Sequence, residues 1–179
     1  MAENEQVNER LRRARDARDD EFYTQYSDIE RELSHYEAAF RGKRIYCNCA
    51  NPLESAFFRY FHLNFNRLGL HSLTATHFVG NGQAVLAKYT GECDRDVRVY
   101  LSEPLSGDGD FRSDACRELL KSSDIVCTNP PFSLAREFIE MLVTEDKLFL
   151  IVGALPWLGY IARCFRLFGI IRFGSVITT

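Results

Sequence analysis

Asp124 to Phe132 constrains this chain more than any other stretch. An apolar run, Ile125-Val126-Cys127-Thr128, stops abruptly at Asn129-Pro130-Pro131-Phe132. Proline lacks the backbone donor that a central strand needs, so the chain must leave a sheet here. A helical pattern follows from Ser133 to Val143, and a second apolar strand from Leu148 to Val152. Asn-Pro also opens ordinary turns. Strand, rigid loop and helix in this order nevertheless put the loop where α/β folds bind ligands, at the carboxyl end of a strand.

The loop's residue types suit one chemical task. An exocyclic amine on a heteroaromatic ring is a poor nucleophile, because its lone pair is delocalised into the ring. The Asn129 amide oxygen can accept one of its N–H groups, and the Pro130 carbonyl can accept the other. Both acceptors favour the positive, pyramidal nitrogen that develops as the amine attacks, a preorganised electrostatic stabilisation. Phe132 offers a stacking face for a base taken out of its duplex.

The rest of the chain organises around that loop. Residues 3–20 are almost all charged or small, a solvated helix or frayed arm. Phe22, Tyr26, Ile29, Leu33, Tyr36 and Phe40 recur at helical spacing up to Gly42, predicting an amphipathic helix. Ile45 to Cys49 reads as a first strand, and Asn51-Pro52 opens an aromatic-rich helix that Gly69 stops. Leu70 to Val79 reads as a second strand, residues 84–102 as a strand pair, and Ser113 to Lys121 as a helix. Strands alternating with helices predict an α/β protein with a doubly wound, mostly parallel sheet.

Charge and cysteine usage narrow the setting. The net charge is −3 over 179 residues, so no global basic signature for nucleic acid is present. A local basic groove fits all the same, since Arg supplies 18 of the 22 basic residues. A charged N-terminus without a signal peptide, and six cysteines mostly in apolar runs, predict a reduced, cytoplasmic protein. Cys47 and Cys49 have no partnering pair at zinc spacing, so no metal site is expected. The apolar run 148–162 is shorter than the roughly 20 residues of a spanning helix, so no membrane anchor is expected.

Several stretches together resemble the adenine-specific DNA methyltransferases of the EcoRI-methylase type. They are Asp20-Glu21-Phe22-Tyr23-Thr24, the Tyr46-Cys47-Asn48-Cys49 turn with Asn51-Pro52, Tyr60-Phe61 through Leu68-Gly69-Leu70, Gly109-Asp110-Phe111-Arg112-Ser113, and Thr128-Asn129-Pro130-Pro131-Phe132-Ser133-Leu134. The resemblance covers about Asp20 to Gly153. It implies an S-adenosylmethionine-dependent methyltransferase sheet, incomplete here, with N-terminal helices. It also implies methyl transfer from S-adenosyl-L-methionine to the exocyclic amine of adenine in duplex DNA. Asn129, Pro130, Pro131 and Phe132 would hold the target base. Asp110 and Phe111 would contact the cofactor's adenine, Phe22, Tyr23 and Thr24 its methionine end, and Cys49 and Asn51 the turn that replaces a glycine-rich loop. Such an enzyme acts as a monomer without metal, commonly beside a partner restriction endonuclease.

Departures from the family pattern leave other readings open. Ala50 and Asn51 stand where the family carries acidic residues, and Thr76-His77 stands where an acid often closes the second strand. The same loop also serves RNA-base and protein-glutamine methyltransferases, although those usually carry Tyr rather than Phe after the prolines, and a glycine-rich cofactor turn that this sequence lacks. An inactive cofactor- or DNA-binding remnant is the third reading. The expected division is an N-terminal arm and helix over 1–41, a partial methyltransferase core over 42–153, and an aberrant tail over 154–179. From about Tyr160 that tail reads as a frame-shifted version of the family sequence: shifted codons permit a Phe-Pro-Leu run followed by Trp-Phe-Gly-Tyr-Asn. No defined packing is therefore expected there.

Overall fold

The computed structural model describes residues 26–48, 51–79, 84–91, 101–152 and 174–177. Local chemistry sets most element boundaries. Helix α1 (Tyr26–Leu33) buries Ile29 and Leu33 on one face and leads through a 3-10 turn (Ser34–Tyr36) into the short α2 (Glu37–Phe40). Strand β1 (Arg44–Cys47) follows. Helix α3 (Ala56–Leu63) is capped by Ser55, whose hydroxyl accepts the Phe58 N–H at 3.2 Å. The helix expected to run on to Gly69 breaks at Asn64. The Asn64 backbone leaves the helical region, φ −106° and ψ 11°, while its N–H and its side-chain amide both donate to the Tyr60 carbonyl, at 3.1 and 2.9 Å. A second helix, α4 (Phe65–Leu68), then ends on Gly69 in the left-handed conformation, φ +63°.

The remaining elements are β2 (Ser72–Thr76), β3 (Val85–Tyr89), β4 (Leu101–Pro104), α5 (Asp114–Ser122), β5 (Ile125–Thr128), α6 (Ala135–Thr144), β6 (Leu148–Val152) and β7 (Gly174–Ile177). They form one sheet in the order β4-β3-β2-β1-β5-β6-β7. β1 pairs in parallel with β2 and β5, β5 with β6, and β6 with β7. β3 runs antiparallel to both of its neighbours. The expected mostly parallel α/β sheet is what forms, and the strand pair read from residues 84–102 supplies its antiparallel edge.

Alternation along the strands explains why helices cover both faces. Ile45, Cys47, Leu73, Ala75, Ile125, Cys127, Leu150 and Val152 face a core built with Ile29, Leu33, Phe40 and the aromatics Phe57, Phe58, Tyr60 and Phe61. Tyr46, Val126, Phe149 and Ile151 face the opposite core, closed by Leu120 of α5 and by Phe138, Ile139 and Leu142 of α6. Each fully buried side chain of this size contributes roughly 1.5–3 kcal/mol by leaving water. The aromatics of α3 are therefore core, as expected.

The tail departs from expectation at one place. Gly174–Ile177, placed within a segment expected to lack defined packing, adds a strand in register with β6 (Phe149 opposite Gly174, Val152 opposite Ile177). Gly-Ser-Val-Ile carries the β-branched residues that pleated pairing favours, and the open edge of β6 offers a template. Residues 153–173 lie outside the described residues.

Candidate active site

The chain turns from β1 to β2 on one side and reaches β5 on the other, so the carboxyl ends of β1 and β5 enclose the crevice where strand order reverses. In open α/β sheets ligands bind there. Asn48 follows β1 and Asn129 follows β5, and the Thr128 hydroxyl donates to the Asn48 carbonyl, tying the two strand ends together. Pro130 is buried, and the Asn129 side-chain oxygen is buried at the same place. The Pro131 carbonyl accepts the Leu134 N–H at 3.1 Å, which closes a 3-10 turn (Phe132–Leu134) and launches α6. The loop is thus fixed from both ends. The Phe132 backbone belongs to that turn, and its side chain lies outside what the structure describes.

A second loop converges on the crevice from β4. Asp108 Oδ1 accepts the Asp110 N–H at 3.0 Å. The Asp110 carboxylate accepts from the Arg112 backbone N–H at 2.8 Å and from its guanidinium at 2.9 and 2.5 Å. Those bonds from Arg112 hold the Asp110 carboxyl below the usual carboxylate range, against the raising effect of burial. Gly109 adopts φ +82°, and a Cβ there would lie 2.3 Å from the His77 carbonyl oxygen. Only glycine allows this loop to lie against the end of β2. The Val79 N–H donates to the Asp108 carbonyl at 2.9 Å, a further tie between the two segments.

Phe111 is buried in the core beneath this loop, edge-on to Phe138 with ring centroids 5.2 Å apart. The Arg112 guanidinium stands over its ring at 5.4 Å. Asn51 spends its side-chain oxygen on the Leu53 N–H at 3.1 Å, an Asx turn, while its carbonyl accepts Glu54 and Ser55 N–H groups. Phe22, Tyr23, Thr24 and Cys49 lie outside the described residues. The structure therefore brings together Asn129, Pro130, Pro131 and Asp110 around one end of the sheet, with Asn51 in the turn after β1.

Three groups of residues at this end escaped the sequence reading. Asn48 is fully buried, and its Oδ1 accepts the Thr76 hydroxyl hydrogen at 3.2 Å. Thr76 has only one hydrogen, so the Tyr46 hydroxyl, 2.7 Å away, must donate to it. The result is a buried polar chain, Tyr46 to Thr76 to Asn48, under the crevice. Its signal was an Asn between two cysteines at a strand end. Glu54 is the second: burial lowers the His77 imidazole, and the negative charge of Glu54 partly opposes it. The third is the pair Arg112 and Glu137, 3.5 Å apart, which no local pattern links.

The Asp110 carboxylate supplies an acceptor at this end of the sheet, and Glu54 lies near the end of β2, where the strand itself brings no acid. Among the described residues, no group of three or more His, Cys, Asp and Glu side chains is gathered as a metal site. No described helix is long and apolar enough to cross a membrane. A cleft of about 220 Å³ opens at the opposite end of the sheet, against Arg44, Ser72, Thr90 and Ser123, and holds none of the candidate residues.

Comparison with known proteins adds the remaining finding. Residues 10–171 match the family described as adenine-specific methyltransferase EcoRI, a wider span than 20–153 and one that reaches into the tail. The type II methyltransferase M.EcoRI of Escherichia coli is 41% identical over 172 residues, covering 89% of this chain and 52% of its own length. The type II methyltransferase M.MpnI of Mycoplasma pneumoniae is 39% identical over 156 residues, covering 87% of this chain and 47% of its own. A type II methyltransferase of Mycoplasma genitalium is 41% identical over 141 residues, covering 79% and 43%. The chain spans about half the length of these relatives. No solved structure matches it.

Proposed function

Because this chain belongs to the EcoRI-type family of adenine-specific methyltransferases, we propose that it carries the catalytic half-site for methylating the exocyclic amine of adenine in duplex DNA. The observation that supports this most is the position of Asn129-Pro130-Pro131 at the carboxyl end of β5, tied through Thr128 to the end of β1. When bound, S-adenosyl-L-methionine supplies an electrophilic methyl group on a sulfonium.

The chain's own residues prepare the amine. Asn129 Oδ1 and the Pro130 carbonyl accept its two N–H groups, which draws the nitrogen toward a tetrahedral geometry and points its lone pair at the methyl. As the new N–C bond forms, the sulfur–methyl bond breaks with its electron pair passing to sulfur, which leaves as a neutral thioether; one of the amine protons then passes to water, so the product amine is neutral. Phe132 stacks on the base once it has left the duplex. Asp110 accepts from the cofactor's adenine amine, and Phe111 backs that loop from the core. Asn51 shapes the turn after β1, and Phe22, Tyr23, Thr24 and Cys49 border the methionine end. Duplex DNA is the substrate, recognised by a monomer, and a restriction endonuclease of the same specificity is the partner in the cell.

The test has two arms. Calorimetric titration with S-adenosylhomocysteine should give saturable binding that Asp110→Ala weakens by about tenfold or more, as expected for loss of a charged hydrogen bond. Incubation with S-adenosylmethionine and unmethylated duplex DNA, followed by nucleoside mass spectrometry, should yield N6-methyladenine. Product found only with an RNA or a glutamine peptide would overturn the DNA assignment. Absence of both binding and product would overturn the reading altogether.

A further inference from the structure

The cofactor and target-base loops are separate in sequence, and two connections run between them. One is apolar: Phe111, in the Asp110 loop, meets Phe138 of α6 edge to face. The other is polar. Arg112 grips both oxygens of Asp110, and its other terminal nitrogen lies 3.5 Å from Glu137 Oε2, also on α6. Helix α6 starts three residues after Phe132, so Glu137 sits in its first turn, directly behind the Asn129–Phe132 loop. Ser113, next to Arg112, caps α5 by accepting the Cys116 N–H at 3.3 Å, which fixes the backbone from which Arg112 reaches out.

We propose that Arg112 is a positioning residue that couples occupation of the cofactor site to the target-base loop. The inference rests on the function proposed above. A planar guanidinium has donors enough to serve two carboxylates at once, and its fork fixes their relative orientation, which an ammonium cannot do. A ligand amine arriving at Asp110 competes for the same carboxylate oxygens. The guanidinium then shifts its share of hydrogen bonding toward Glu137, which tightens the first turn of α6 and the loop ahead of it. The consequence is an order of events: the target-base loop is firmest when the methyl donor is in place, so a base is held for reaction and not before. Sequence pattern alone separates Arg112 and Glu137 by 25 positions, and only the pairing of β1 with β5 and the packing of α5 and α6 on one face bring them together.

The test reads the coupling and not activity. Amide hydrogen exchange over residues 126–140 is followed in this chain with and without saturating S-adenosylhomocysteine. In the unmodified chain the ligand should slow exchange at residues 132–138 by about fivefold or more, a typical coupling. Glu137→Gln leaves the Asp110–Arg112 fork intact and lies on the surface, so it should fold normally and keep its affinity within about threefold. It should lose most of the ligand-dependent slowing, with ligand-free exchange unchanged. Arg112→Lys should lose it too. Slowing that survives in both variants assigns the coupling to Phe111 and Phe138 and overturns the role of Arg112. Failure of all three proteins to bind S-adenosylhomocysteine overturns the proposed function, and this inference with it.

Discussion

The mechanism proposed above gives Asn129 and Asp110 different work, in keeping with their different surroundings. Asn129 is neutral, and its side-chain oxygen is buried beside a proline-locked backbone. In that mechanism it stabilises a positive charge that appears only during reaction. Asn129→Ala should therefore lower turnover by about 100-fold or more, the usual cost of one preorganised polar group. Affinity for S-adenosylhomocysteine should stay as it was, and steady-state methylation alongside calorimetry separates the two effects. Asp110 is instead charged before anything binds, since Arg112 holds its carboxyl below the usual range. Gly109 is the residue that allows Asp110 to reach the end of β2. Gly109→Ala combines an unfavourable φ of +82° with a collision against the His77 carbonyl. A loss of about 1–3 kcal/mol in denaturant unfolding is expected from the strained backbone, with the Asp110 loop displaced. Unchanged unfolding and unchanged cofactor affinity in that variant would remove the loop from the site.

Elements meet where the sequence carries paired signals at their ends. The starts of β1 and β5 are joined by Arg44 and Asp124: the backbone N–H of Arg44 donates to Asp124 at 2.8 Å, and its guanidinium adds bonds of 3.1 and 2.9 Å. The Arg44 hydrogen bonds bring the Asp124 carboxyl down to about 2. A depressed carboxyl stabilises the fold above its unfolded value of about 3.9 and loses that contribution as pH falls toward 2. Asp124→Asn should accordingly flatten the acid limb of a stability curve between about pH 4 and 2. The shift will be small, because exposed pairs are weak and screened by salt. At the other end of the same strands, the chain from Tyr46 through Thr76 to Asn48 holds the crevice floor. The Asn64 break in the α3–α4 region was not legible beforehand, since the apolar period continues straight through it.

At the scale of the whole molecule, two hydrophobic cores on opposite sheet faces share each strand. Cys47 and Cys127 lie in one of them, fully buried, and burial pushes both thiols upward. Cys116 is buried at the edge of the sheet. None of the three should react with iodoacetamide in the native protein, and labelling in increasing urea should follow global unfolding. Rapid native labelling of Cys127 would mean that β5, and with it the Asn129 loop, opens locally. Among the described residues, β7 stands at the edge of the sheet beside β6.

Local chemistry alone made much of this protein legible. A strand ended by two prolines, the short continuous apolar runs of β5 and β6, and the helical spacing of apolar residues before Gly42 each act within a few residues, so the sequence carries them openly. Fold class, the Asn129–Phe132 loop and the resemblance to a methylase family came from such signals. Strand order, the antiparallel β3 and the β7 pairing did not, because each depends on which partner wins a competition between distant segments. The contact of Gly109 with His77, the Tyr46–Thr76–Asn48 chain and the bridge from Asp110 through Arg112 to Glu137 are of the same kind. Their partners lie about 25 to 32 positions apart, and nothing in either residue's own neighbourhood specifies the other.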